Sequence, residues 1–96
     1  MPDVDSVSKR TKVVNRAGLH ARPCHAVVSL ALKHPAELRV RVGHEARSVN
    51  GKSIIDLMTL EASEGTELEF TASGPGAEAL VDALVALVAA GFSEPR

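Results

Sequence analysis

The sequence predicts an α+β open-faced sandwich: a four-stranded antiparallel sheet covered on one face by three helices, in the order β-α-β-β-α-β-α. Three observations carry this. Two segments alternate strictly, Leu38, Val40 and Val42 against Arg39 and Arg41, then Leu68, Phe70 and Ala72 against Glu67, Glu69 and Thr71. Strands that read this way are buried on one face and wetted on the other. Two longer segments instead repeat their apolar residues at helical spacing, and Gly, Pro and Asn punctuate the boundaries between all of them.

Residues 1–8 are polar, carry Pro2 and have no period, which predicts a loose tail before a domain spanning 9–92. Lys9 to Asn15 reads as a strand, with Thr11 and Val13 on one face and Arg10 and Lys12 on the other, and Gly18 breaks it. A helix is predicted from Ala21 to about His34, with Pro23 tolerated in its first turn. Ala26, Val27, Leu30 and Ala31 form its apolar stripe, and Pro35 stops it. The strand around Leu38–Val42 turns at Gly43-His44 into a shorter one at about 45–49, ended by Asn50-Gly51.

Ser53 is placed to cap a short helix ending near Glu61, with Asp56 three residues on. Glu64-Gly65 turns the chain into the strand containing Phe70, and Ser73-Gly74-Pro75-Gly76 is a loop. The final helix, about 77–90, aligns Leu80, Val81, Leu84, Leu87 and Val88, keeps Glu78 in its first turn and meets Gly91 as a C-terminal cap. Residues 93–96 read as a tail. This order belongs to the split βαβ class.

Composition narrows the function. A chain of 96 residues is one domain and buries only about 60% of its unfolded surface, so its core must be efficient. Two phenylalanines are the only aromatics and the net charge is −1, which leaves neither stacking platforms nor a basic footprint for nucleic acid. The single cysteine, Cys24, excludes an internal disulfide framework and fits a reducing compartment. The acidic Met1–Ser6 start does not resemble a signal peptide, and no apolar run is long enough to span a membrane. A cytoplasmic protein is expected.

The chemistry concentrates at Asn15-Arg16-Ala17-Gly18-Leu19-His20-Ala21-Arg22-Pro23, where a histidine sits at a strand-to-helix junction. A neutral imidazole can attack a phosphoryl group. The unpaired N–H groups of a helix start favour the resulting anion, and Arg22 is close enough in sequence to pair with its oxygens. Pro23 lacks an N–H where that donor would be partly orphaned, and it presets the geometry of the helix start.

With these residues in view, the chain resembles HPr, the histidine-containing phosphocarrier family of the phosphoenolpyruvate-dependent phosphotransferase system. The resemblance covers about residues 9–90 and rests on Gly18–Pro23 and on Asn50-Gly51-Lys52-Ser53-Ile54-Ile55-Asp56-Leu57-Met58, both at the places that the family's element order gives them. It implies that His20 takes a phosphoryl group on Nδ1 from enzyme I and passes it to an EIIA-type acceptor. Arg22 would hold the phosphate, and Gly18, Ala21 and Pro23 would support it. The resemblance further implies that Ser53 is a regulatory phosphorylation site for an HPr kinase/phosphorylase, and that Ile54, Ile55 and Met58 form a docking surface. It implies a carrier that enzymes act upon; a monomer is the default for a carrier that docks on several partners in turn, and no cofactor or metal is expected. The alternative is a regulatory binding module of the same fold with little transport flux.

Three further readings compete. Ala46–Ser53 loosely fits a relaxed P-loop, but its first glycine is missing, Arg47-Ser48-Val49 reads as strand, and the chain is too short for an NTPase sheet. His20 and Cys24, four apart on a helix, share a face that could serve a metal or a reactive thiol pair, although no other ligands complete a set. Cys24 stands where the family commonly has alanine, and its bland reading is a small buried residue. Arg39, Arg41 and Arg47 suggest a modest basic patch, and Glu64, Glu67 and Glu69 exposed charges.

Overall fold

A computed structural model describes residues 6–94. The chain forms strand β1 (Ser6–Lys12), helix α1 (Ala21–Ala31), strands β2 (Glu37–Val42) and β3 (Ser48–Asn50), helix α2 (Ile54–Met58), strand β4 (Glu67–Ser73) and helix α3 (Ala77–Ala89), followed by a 3-10 turn at Gly91–Ser93. The strands make one antiparallel sheet in the order β1-β4-β2-β3. The predicted class and element order are those observed.

Alternation in β2 and β4 decides which face is covered. Leu38, Val40, Leu68, Phe70 and Ala72 are buried, and they join Val27, Ala31, Leu57, Leu80, Val81, Leu84 and Val88 from the helices in one core. Across the other face runs a polar ladder. Glu69 accepts from Arg41 Nε (2.6 Å) and Arg10 Nε (3.2 Å), Arg10 also reaches Glu67 (2.9 Å), and the Ser8 and Thr71 hydroxyls meet at 2.7 Å. Of the expected basic patch, Arg41 is ion-paired with Glu69, whereas Arg39 and Arg47 stay exposed and charged, donating only to neutral oxygens of Ser48 and Thr59. Glu67 and Glu69 are likewise ion-paired and not simply solvated.

Element ends differ from expectation where pairing overrides local pattern. β1 begins at Ser6, because all seven of its residues pair with the seven of β4. Residues 6–8, expected in the tail, are thus strand, and Val13 and Asn15 are buried in the connection that follows. The rest of that tail lies outside the described residues. α1 stops at Ala31, before Pro35, where Lys52 Nζ donates to the His34 carbonyl (3.0 Å) just beyond the helix end. β3 is only three residues long, and α2 ends at Met58, short of Glu61, whose φ of 52° is left-handed. At the C-terminus, Ser93 and Glu94 are held in the structure where a tail was expected, and residues 95–96 lie outside the described ones.

Candidate functional site

The segment between β1 and α1 is pinned from both sides. Val13 N–H donates to the Thr66 carbonyl (2.8 Å), and its carbonyl accepts from Gly65 (2.7 Å), tying the strand's exit to the turn before β4. Gly18 adopts φ +72° against the backbone at Ala62. A Cβ there would lie 2.6 Å from the Ala62 carbonyl oxygen, so no other residue fits without a shift. Leu19 N–H donates to that oxygen at 2.9 Å. Asn15, fully buried, locks the turn by donating from Nδ2 to the Gly18 carbonyl at 2.8 Å.

His20 emerges from this turn as the N-cap of α1, with extended backbone (φ −95°, ψ −167°). Its own N–H is spent on the Gly18 carbonyl (3.1 Å) and its carbonyl accepts from Cys24 (3.0 Å). The N–H groups of Ala21 and Arg22 have no intrahelical acceptor by position, and Pro23 has none to donate. Pro23 and Cys24 face the core, whereas Ala21 and Arg22 are exposed. Arg22 makes no hydrogen bond or ion pair among the described residues, so its guanidinium is available to an anion at the helix start.

The ring of His20 is half-exposed. Nε2 lies 3.0 and 3.1 Å from the two carboxylate oxygens of Glu94, while Nδ1 has no partner among the described residues. Glu94 also accepts from Asn15 Nδ2 at 3.0 Å. The hydrogen bond from His20 holds the Glu94 carboxyl below the usual carboxylate range, with Asn15 and the charges of His20 and Arg22 acting the same way.

Glu94 is the site residue that sequence reasoning missed, since nothing in its pattern distinguishes it from a solvated terminus. The chain is brought back by three consecutive left-handed residues, Gly91 (φ 68°), Phe92 (φ 56°) and Ser93 (φ 61°). Two of these carry side chains, at a strain of about 1–3 kcal/mol each. Phe92 is buried and anchors the turn, and Glu94 N–H donates to the Gly91 carbonyl at 2.9 Å.

The second motif lies on α2, which packs against α1. Ser53 is its N-cap, accepting from Asp56 N–H at 3.2 Å. Leu57 is fully buried, Ile54 is half-buried against the core, and Ile55 (76% exposed) and Met58 (45% exposed) face outward. Of the three residues expected to dock partners, two are free and one packs inward. Ser48–Asn50 of the P-loop-like stretch is strand, so its backbone is committed to pairing with β2 and cannot wrap phosphates.

Cys24 is fully buried among apolar side chains, 3.8 Å from the Leu19 carbonyl, and burial pushes its thiol up to about 11. Such a thiol is a core residue, not a nucleophile. It does not share an accessible site with His20. Among the described residues no three His, Cys, Asp or Glu side chains are grouped to hold a metal. No helix there is long and apolar enough to cross a membrane.

Comparison with known proteins places the chain's sequence and fold among characterised families. A family model described as the PTS HPr component phosphorylation site matches residues 7–90. Phosphocarrier protein HPr of Pseudomonas aeruginosa is 39% identical over 83 residues, covering 85% of this chain and 90% of that protein. Phosphocarrier protein NPr of Escherichia coli is 32% identical over 89 residues, covering 93% and 98%. A multiphosphoryl transfer protein of Vibrio cholerae is 37% identical over 84 residues, which are 86% of this chain but 21% of that longer protein. Among solved structures, an HPr from Thermoanaerobacter tengcongensis superposes with a TM-score of 0.85 at 32% identity, covering 94% of this chain and 99% of the other.

Proposed function

The chain belongs to the HPr family of phosphotransferase-system phosphocarriers, and on that footing we propose that His20 accepts a phosphoryl group on Nδ1 from enzyme I and passes it to an EIIA-type acceptor. The observation that carries this reading is a half-exposed imidazole at the N-terminus of α1 with Nδ1 and the neighbouring Arg22 both without a hydrogen-bond or ion-pair partner among the described residues. In the forward step the Nδ1 lone pair forms the N–P bond while the bonding pair to phosphorus returns to the leaving nitrogen of the donor. Onward transfer reverses the roles.

The Arg22 guanidinium pairs with the phosphoryl oxygens, and the Ala21 and Arg22 N–H groups add the partial positive charge of the helix start. Gly18 lets the turn approach Ala62, and Pro23 fixes the first turn, so both hold His20 in place. A helix end and one side chain bind phosphate without enclosing it, as a carrier requires. Ser53 is the proposed regulatory site, modified by an HPr kinase/phosphorylase. Ile55 and Met58, with the flank of Ile54, are the proposed docking surface. We place this traffic in the cytoplasm, on a single copy of the chain, since His20 and Arg22 come from one helix start.

Incubation with phosphoenolpyruvate, magnesium and enzyme I is expected to place acid-labile phosphate on His20. His20→Ala is expected to abolish that label while the protein stays folded, as read by circular dichroism. Undiminished labelling of the variant would overturn the assignment. Incubation with ATP and HPr kinase is expected to place acid-stable phosphate on Ser53, and mass spectrometry finding Ser53 unmodified would remove the regulatory part alone.

A further inference from the structure

We infer that Glu94 is a positioning residue: its carboxylate fixes the His20 ring proton on Nε2 and thereby leaves Nδ1 as the nitrogen that takes phosphate. This deepens the carrier reading and rests on it. Glu94 lies beyond residues 7–90, the span matched by the family pattern, so it is the structure of this chain that brings it to the site.

The argument begins with hydrogen-bond capacity. An ionised carboxylate only accepts, so the contacts of 3.0 and 3.1 Å from Nε2 to the two oxygens require the proton on Nε2. In a neutral imidazole the lone pair is then on Nδ1, the nitrogen without a partner among the described residues. Asn15 keeps the carboxylate from drifting, since it is buried, donates to Glu94 at 3.0 Å and to Gly18 at 2.8 Å, and so couples the carboxylate to the turn that holds His20. Phe92, buried at the base of the left-handed turn, fixes the other end of the segment.

The same contact acts on the transfer itself. When the Nδ1 lone pair bonds to phosphorus and the donor's nitrogen recovers its electron pair, the His20 ring retains the Nε2 proton and becomes cationic. Glu94 faces that charge as it forms, so the interaction strengthens along the reaction. On delivery the N–P electron pair returns to Nδ1, the ring becomes neutral again, and the Nε2 proton never leaves. Arg22, whose charge reaches Glu94, counters the repulsion between the carboxylate and the incoming anion.

The test uses the full chain with 15N-labelled histidine, as wild type, Glu94→Gln and Glu94→Ala. Long-range 1H–15N spectra at a pH of about 8.5, where a free imidazole is neutral, are expected to show His20 as the Nε2–H form in wild type and a measurable Nδ1–H fraction in Glu94→Ala. Phosphorylation by enzyme I is expected to slow about tenfold in Glu94→Ala, the scale of one lost charge-assisted hydrogen bond. Glu94→Gln keeps an acceptor without the charge and falls between the two in rate. An unchanged tautomer overturns the inference whatever the rate does, and so does a shifted tautomer with an unchanged rate. The tautomer measurement needs no phosphoryl donor. A wild type that takes no label therefore removes the carrier reading by a separate observation.

Discussion

Gly18 shows how one backbone position sets the chemistry of another residue. Its φ of +72° and the 2.6 Å that would separate a Cβ from the Ala62 carbonyl leave no room for a side chain, and His20 hangs from the same turn. Gly18→Ala is expected to destabilise the fold by about 2–4 kcal/mol, combining left-handed strain with a clash against backbone. Urea unfolding measures it directly; a change below about 0.5 kcal/mol would mean that the turn relaxes freely. Cys24, in the first turn of α1, illustrates the opposite case. Its identity looked chemically suggestive beside a histidine, but total burial makes it a packing residue.

At the scale of elements, the open face of the sheet is organised around Glu69 on the central strand β4, between Arg41 of β2 and Arg10 of β1. Arg41 is the larger cause holding the Glu69 carboxyl below its ordinary value of 4.5, and Arg10 adds to it. A carboxyl depressed in the folded state stabilises fully above its unfolded value, and the contribution disappears as pH falls through the folded one. Glu69→Gln is therefore expected to lower stability at neutral pH by about 0.5–1 kcal/mol, as partly exposed ion pairs do. That difference from wild type should close as the pH is lowered below 4.5. Denaturation at two pH values checks this, and a constant difference at both would show that the pairing contributes nothing to the acid limb.

For the whole molecule, the significant fact is that α2 presents Ile55 and Met58 to solvent while Leu57 between them is sealed in the core. A five-residue helix cannot bury more than one narrow stripe, so it must be held by the core on one side and leaves apolar side chains bare on the other. Because α2 packs against α1, that bare surface belongs to the same helical layer as His20. Ile55→Glu is expected to leave stability within about 0.5 kcal/mol, as at other exposed positions. The KM for phosphorylation by enzyme I should rise about fivefold or more, the loss of roughly 1 kcal/mol of docking energy. An unchanged KM would place enzyme I elsewhere on the molecule.

The sequence alone was enough for the class, the element order, the covered face of the sheet and the placing of His20 and Arg22 together at one helix start, because period-two and helical spacings and a few glycines and prolines act locally. Two phosphocarrier motifs in register sufficed to point to the family. Only the tertiary structure decided where β1 starts, since its seven pairs with β4 are contacts across 55 or more residues of chain. Only it decided which of Ile54, Ile55 and Met58 are bare, that Arg41 is ion-paired while Arg39 and Arg47 are not, and that Cys24 is sealed in the core. Glu94 is the clearest case. It meets His20 across 74 residues through a turn built from consecutive left-handed conformations, and an acidic residue near the end of a chain carries no local pattern from which such a contact could be read.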